Sequence, residues 1–131
     1  DAGLAPPLDE RADYYRWLFF AAGPVEQAVT NRALGFAIEG DQERMAGYGN
    51  YDLTVDVLER AVSRSDYIAG DSFTAADVYL GSQVAWGVQF KTLPMREAFT
   101  AYLDRILTRD AYRRASEIDD SLMPKEEAPV G

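Results

Sequence analysis

The chain is 131 residues long, so one domain with a single core is the expectation. Hydrophobic residues make up 47% and charged residues 27%, the balance of an ordinary globular chain. Histidine and cysteine are absent, which excludes Ser-His-Asp and Cys-His nucleophiles, Cys/His zinc sites and disulfides; 22 acids against 13 bases give a net charge of −9, which argues against nucleic acid as a partner.

No apolar run approaches the roughly 20 residues of a membrane span, so no membrane association is expected. The start, Asp1-Ala2-Gly3-Leu4-Ala5-Pro6-Pro7, lacks the basic opening of a signal peptide and reads as a linker remnant over residues 1–8. Prolines stand at 6, 7, 24, 94, 124 and 129, leaving a long proline-free stretch that suits helices. The spacing predicts a first helix over about 8–37. Asp9 is its candidate N-cap, and Tyr14, Leu18, Ala21, Val25 and Ala28 form its core stripe. Gly23-Pro24 should kink it. Residues 39–50, rich in glycine and polar groups, read as a connection.

Residues 51–57 alternate as a strand would, yet Tyr51, Val55, Leu58, Ala61 and Val62 share a helical stripe that runs twice as long, so a helix over 51–65 is expected. Asp52, Asp56 and Glu59, with Arg60 alongside, read as a solvated face. A buried central helix follows over about 74–90. An amphipathic helix over 96–109 carries Phe99, Tyr102, Leu103, Ile106 and Leu107 on one face, and a short helix spans 110–118. Residues 119–131 are expected to form an acidic, flexible tail. Five helices and no convincing strand predict an all-α bundle, with the helical domain over 9–118.

The stretch Asp71-Ser72-Phe73-Thr74-Ala75-Ala76-Asp77-Val78 carries the most specific signal. Thr74 can cap the helix while the carboxylate of Asp77, three residues on, returns to the Thr74 N–H. Phe73 and Val78 have the spacing of a hydrophobic staple. Gly70 closes the turn after Tyr67-Ile68. The Asp77 carboxylate is assigned a structural role, its oxygens being engaged by backbone donors.

In its setting, Tyr67-Ile68-x-Gly70-x-x-Phe73-Thr74-x-Ala76-Asp77-x-x-Leu80 resembles the C-terminal helical domain of bacterial-type glutathione transferases, in which a buried helix begins with this box and staple. The resemblance extends upstream to Glu10-Arg11-Ala12-x-Tyr14-x-x-Trp17-Leu18 and Ala21-Ala22-Gly23-Pro24-Val25-Glu26. Downstream it reaches Arg109-Asp110-Ala111-Tyr112-x-Arg114-Ala115. The family usually has proline where Asp110 stands, and an aspartate there can cap the last helix instead. Together these stretches cover about residues 4–118.

The resemblance implies a bundle of five helices, a cytoplasmic protein that forms a homodimer at full length, and glutathione as co-substrate without a further cofactor or a metal. It also implies that a thioredoxin-like N-terminal domain, absent from this chain, activates the thiol, so no catalytic residue is assigned here. This chain would contribute dimer contacts and a wall for a hydrophobic electrophile. The face bearing Tyr15, Phe19, Gly23 and Glu26, with Trp86 on the central helix, is the candidate substrate-binding set. The plain alternatives are that Tyr15, Phe19 and Trp86 serve the core or a dimer contact, and that Glu26 is a solvated acid. The rival function is a non-catalytic docking or dimerisation module.

Overall fold

The computed structural model describes residues 2–123. Pro24 decides the shape of the first helical run, because it has no N–H to return to the carbonyl four residues earlier. The chain nevertheless passes through it unbroken. Helix α1 (Arg11–Phe20) leads into a π turn (Ala21–Val25) and on into α2 (Glu26–Ala33). The Glu26 N–H reaches back five residues to the Ala21 carbonyl, the wider ring of a π turn. That turn stands where the sequence predicted a kink at Gly23-Pro24. It also changes the register of the buried face, which consists of Trp17, Ala21, Val25 and Ala28. Tyr14 and Leu18, expected on the core stripe, are half-buried at its margin.

Both ends of this run differ from the sequence expectation. Leu8–Glu10 form a 3-10 turn in which the Glu10 N–H donates to the Pro7 carbonyl, so Asp9 sits inside the turn and caps nothing. At the other end Gly35 adopts φ +79°, and the Phe36 N–H donates to the Asn31 carbonyl at 2.8 Å. This left-handed ending satisfies the last carbonyls and stops α2 at Ala33, short of residue 37. Within the expected connection, Gly40–Arg44 add a 3-10 turn.

The remaining helices are α3 (Tyr51–Val62), α4 (Ala75–Gln89), α5 (Glu97–Leu107) and α6 (Asp110–Leu122). The described residues thus form five helical runs and no strand, an all-α bundle with one isolated bridge between Tyr67 and Gly70. Asn50 caps α3, its Oδ1 accepting from the Leu53 N–H at 2.8 Å. The strand-like alternation of residues 51–57 loses to the helical stripe because Val55, Leu58, Ala61 and Val62 can all reach the core only as a helix. Helix α4 is the axis of the bundle, packed against α1 and α5, and α3 closes the core from α2 and α5. Leu58, Ile68, Leu80, Val84, Phe99 and Tyr102 are fully buried there. Each contributes about 1.5–3 kcal/mol of apolar transfer free energy.

Asp56 and Glu59 are more than a solvated face: both pair with Arg96, the residue just before α5, and so tie α3 to the start of α5. The hydrogen bond that Arg96 donates to Asp56 holds its guanidinium above its ordinary pKa. Helix α6 begins after Arg109, with Asp110 as its first residue rather than its cap, and runs four residues past the expected end at 118. Asp1 of the expected linker and residues 124–131 of the expected tail lie outside the described residues. Among the described residues no helix is long and apolar enough to cross a membrane.

Candidate functional site

The start of α4 organises its surroundings around one buried carboxylate. Asp77 is fully buried and accepts four hydrogen bonds. Its Oδ2 accepts from the Thr74 N–H at 2.9 Å and the Thr74 hydroxyl at 3.2 Å, and its Oδ1 from the Ile68 N–H at 2.8 Å and the Tyr102 hydroxyl at 2.9 Å. The Thr74 Oγ1 accepts in turn from the Ala76 N–H at 3.2 Å, and both arms of the reciprocal box are present. The Ala75 N–H, which the Thr74 cap leaves over, donates to the Leu4 carbonyl at 2.8 Å, so the N-terminal segment is fastened to the head of α4. Burial, with the adjacent Asp77 charge, pushes the Tyr102 phenol far above its ordinary value. With all its acceptor sites engaged, Asp77 joins α4, α5 and the Ile68 turn and has nothing left for chemistry.

The staple residues behave differently from one another. Phe73 packs edge-on against Tyr67 with ring centroids 5.7 Å apart, and the Arg109 guanidinium lies 3.4 Å from its ring centroid. Val78 is 52% exposed. Both line a cleft of about 600 Å³ between α4 and α6, with Trp86 and Ser82 on one wall and Tyr112, Ala115 and Ser116 on the other. Ile106 and Leu107 form its floor, and Ala2 and Leu4 border it. A second cavity of about 540 Å³ lies beside Arg32, Phe36, Tyr48 and Tyr51. There the Tyr51 hydroxyl donates to the Thr92 carbonyl at 2.6 Å, Arg32 covers the Tyr51 ring at 4.0 Å, and burial raises the Tyr51 pKa.

The residues singled out from sequence fall on two connected surfaces. Trp86 is 65% exposed and lines the larger cleft. Tyr15, Phe19, Gly23 and Glu26 line neither cavity; they run along the outer face of α1, the π turn and the start of α2, where Phe19 is 73% exposed. One bond links the surfaces: the Tyr79 hydroxyl of α4 donates to Glu26 Oε2 at 3.3 Å. Helix α1, packed on α4, runs parallel to it: the Leu4 carbonyl before α1 accepts from the head of α4, and at the other end Arg32 of α2 and Thr92 just past α4 both meet Tyr51. Trp86, two turns beyond Tyr79, and Phe19, two turns before Glu26, therefore stand on opposite sides of that bond, at separate levels of the bundle. Tyr15 and Phe19 are exposed toward the start of this run and Trp86 and Phe90 toward the end of α4, with Tyr79 between them. Tyr79, Arg109 and Tyr112 were not singled out from sequence; the stripe Val78, Ser82, Ala85 at spacings of 4 and 3 was the available signal for the cleft wall. Among the described residues no cluster of acids could hold a metal ion.

Comparison with solved structures places this arrangement. A glutathione S-transferase from Actinobacillus pleuropneumoniae superposes with a TM-score of 0.63 at 24% identity, over 93% of this chain and 60% of that one. Glutathione S-transferase III in its apo form superposes with a TM-score of 0.52 at 21% identity, over 98% of this chain and 60% of its own. The fold is that of glutathione S-transferases. No family model matches the sequence, and no curated protein matches it either. The chain spans about 60% of the length of these two transferases, so the transferase-like bundle here corresponds to part of those molecules. At these identities the likeness is one of fold.

Proposed function

We propose that this chain is the helical domain of a glutathione transferase, working with a thioredoxin-like domain that binds glutathione and lowers the thiol's pKa. The single observation that carries the reading is a transferase-type fold that leaves the large rings of Phe19 and Trp86 open to solvent on its first and central helices. An electron-poor aromatic electrophile stacks on such rings, the indole offering the largest and most polarizable face. Glutathione's thiolate then attacks the ring carbon that bears a halide. A C–S bond forms, the C–halogen bond breaks, and halide leaves with the electron pair. Positioning supplies the rate gain on this side of the site, since the chain has no histidine or cysteine to act on the thiol. Dimerisation through the first helices and a cytoplasmic setting belong to the same reading.

The test is conjugation of glutathione to 1-chloro-2,4-dinitrobenzene by the intact protein, thioredoxin-like domain included, against the 131 residues alone. The expected result is turnover in the former and none in the latter. One of Phe19→Ala and Trp86→Ala should raise KM for the nitroaromatic several-fold and leave KM for glutathione unchanged. Equal turnover by the isolated chain, or no change in either KM, overturns the assignment.

A further inference from the structure

The cavity of about 540 Å³ where the chain turns from α2 into α3 has a fixed floor and unpaired charges around it. Two tyrosines make the floor, each tied at its hydroxyl: Tyr51 donates to the Thr92 carbonyl, and the buried Tyr48 accepts from Asn31 Nδ2 at 3.0 Å. Gly35, at φ +79°, turns the chain back so that Phe36 and Ile38 line the cavity as well. Arg32 rests on the Tyr51 ring, 4.0 Å from its centroid, and among the described residues it forms no ion pair and no side-chain hydrogen bond. A guanidinium whose face is spent on a ring keeps the N–H groups of its edge for another acceptor, in the fork that suits a carboxylate.

Three acids share the cavity with Arg32, and none pairs with it. Glu39 takes part in the capping box of the Gly40–Arg44 turn. Asp52 lies exposed in the first turn of α3, where the helix dipole favours its charge. Glu43 is half-buried, and among the described residues it has neither a hydrogen bond nor an ion pair. The cavity therefore keeps one cation and one anion apart, each without a partner, at a cost in lost solvation. A simple anion bound there meets three acids, and a simple cation meets Arg32. A molecule carrying both charges satisfies each, and with no net charge it is not repelled by the chain's −9. The volume is that of a small-molecule site.

We infer that this cavity binds a small zwitterion with an apolar body, its carboxylate on Arg32, its ammonium on Glu43 and its carbon chain against Phe36 and Ile38. The cavity shares no lining residue with the cleft between α4 and α6, and the inference does not rest on the transferase reading.

The experiment titrates the chain by calorimetry with two isomers, norleucine, whose charges are adjacent, and 6-aminohexanoate, whose charges stand at its two ends. Hexanoate and hexylamine, with one charge each, are the controls. The Gly35 amide signal, followed by NMR, reports whether binding occurs at this cavity. At least one of the isomers should move that signal and bind about tenfold more tightly than either control, the effect of one further charge-assisted hydrogen bond. Arg32→Gln should lower its affinity to that of hexylamine for the unaltered chain, and Glu43→Gln should lower it to that of hexanoate. Arg32→Lys, which keeps the charge and loses the fork, should retain part of the preference. Equal affinities for zwitterions and controls in the unaltered chain, no binding by either isomer, binding that leaves Gly35 unmoved, or a preference that survives Arg32→Gln or Glu43→Gln each overturn the inference. None of these results bears on the conjugation assay, which tests the transferase reading by itself.

Discussion

Replacing Asp77 with asparagine isolates what the buried carboxylate does. Each carboxylate oxygen accepts from one backbone N–H and one hydroxyl: Ile68 and Tyr102 on Oδ1, Thr74 and its own side chain on Oδ2. The amide offers one oxygen and one NH2. Whichever way it is turned, the NH2 meets a backbone N–H, donor against donor. The hydroxyl beside it can rotate and accept, but the N–H cannot. One buried amide is therefore orphaned in either orientation, and the loss should be about 2–3 kcal/mol. For a domain of this size that lowers Tm by roughly 10 °C. Asp77→Ala orphans both amides and should cost more, about 4 kcal/mol. Thr74→Ala removes only the Oγ1 cap of Ala76 and one donor to Asp77, about 1 kcal/mol. Urea unfolding followed by circular dichroism gives all three values. Should Asp77→Asn prove no more destabilising than Thr74→Ala, the four-donor description of this carboxylate is wrong.

Tyr102 should give the chain an alkaline limit. Its phenol stays protonated in the folded state far above the ordinary value of 10.0, chiefly through burial, whereas the unfolded chain ionises there. The unfolded state then holds fewer protons, so stability falls by about 1.4 kcal/mol per pH unit above pH 10. It is fully present below that pH, and Tyr102→Phe should remove this contribution to the slope in urea titrations between pH 9 and 11. Gly87→Ala tests the packing at the end of α4. An added Cβ would stand 2.5 Å from Leu93 Cδ1 and 2.6 Å from its Cγ, and the Leu93 N–H is itself bonded to the Gly87 carbonyl at 2.9 Å. Leu93 cannot move aside without leaving the core, so a net loss of about 1–2 kcal/mol is expected despite alanine's better helix propensity. Gly81→Ala meets chiefly the tip of Ile106, which borders the cleft and can turn into it, and should be close to neutral in the same denaturation assay.

Local signals were enough for the helices because their causes are local. Thr74 and Asp77 lie three residues apart, and the stripes through Val55, Leu58 and Val62 or Phe99, Tyr102 and Ile106 repeat within two turns. The π turn was hidden because proline's usual outcome is a kink; a change from four- to five-residue hydrogen bonding leaves no distinct residue pattern. The end of α6 was missed because Asp119 and Asp120 resemble a charged tail as much as a helix face. The site depends on long-range pairs. Tyr79 reaches Glu26 across 53 residues, Tyr102 reaches Asp77 across 25, and Arg96 reaches Asp56 across 40. No window along the chain contains both members of such a pair.

What the sequence does disclose, once the helices are placed, is an excess of apolar rings on the wrong side of them. Trp17 is buried and Phe19, two residues on, is open to water; Val84 is buried and Trp86, two residues on, is open as well. Two residues turn a helix by about 200°, so both rings stand almost opposite the core. Folding alone fills such positions with polar side chains, as α3 does with Asp52, Asp56 and Glu59. A single exposed ring needs no explanation, but five of them, Tyr15, Phe19, Tyr79, Trp86 and Phe90, crowd the outer surface of two packed helices. The bundle gains nothing from presenting that surface to solvent. An aromatic ligand that stacks against it would make use of the rings that the core leaves outside.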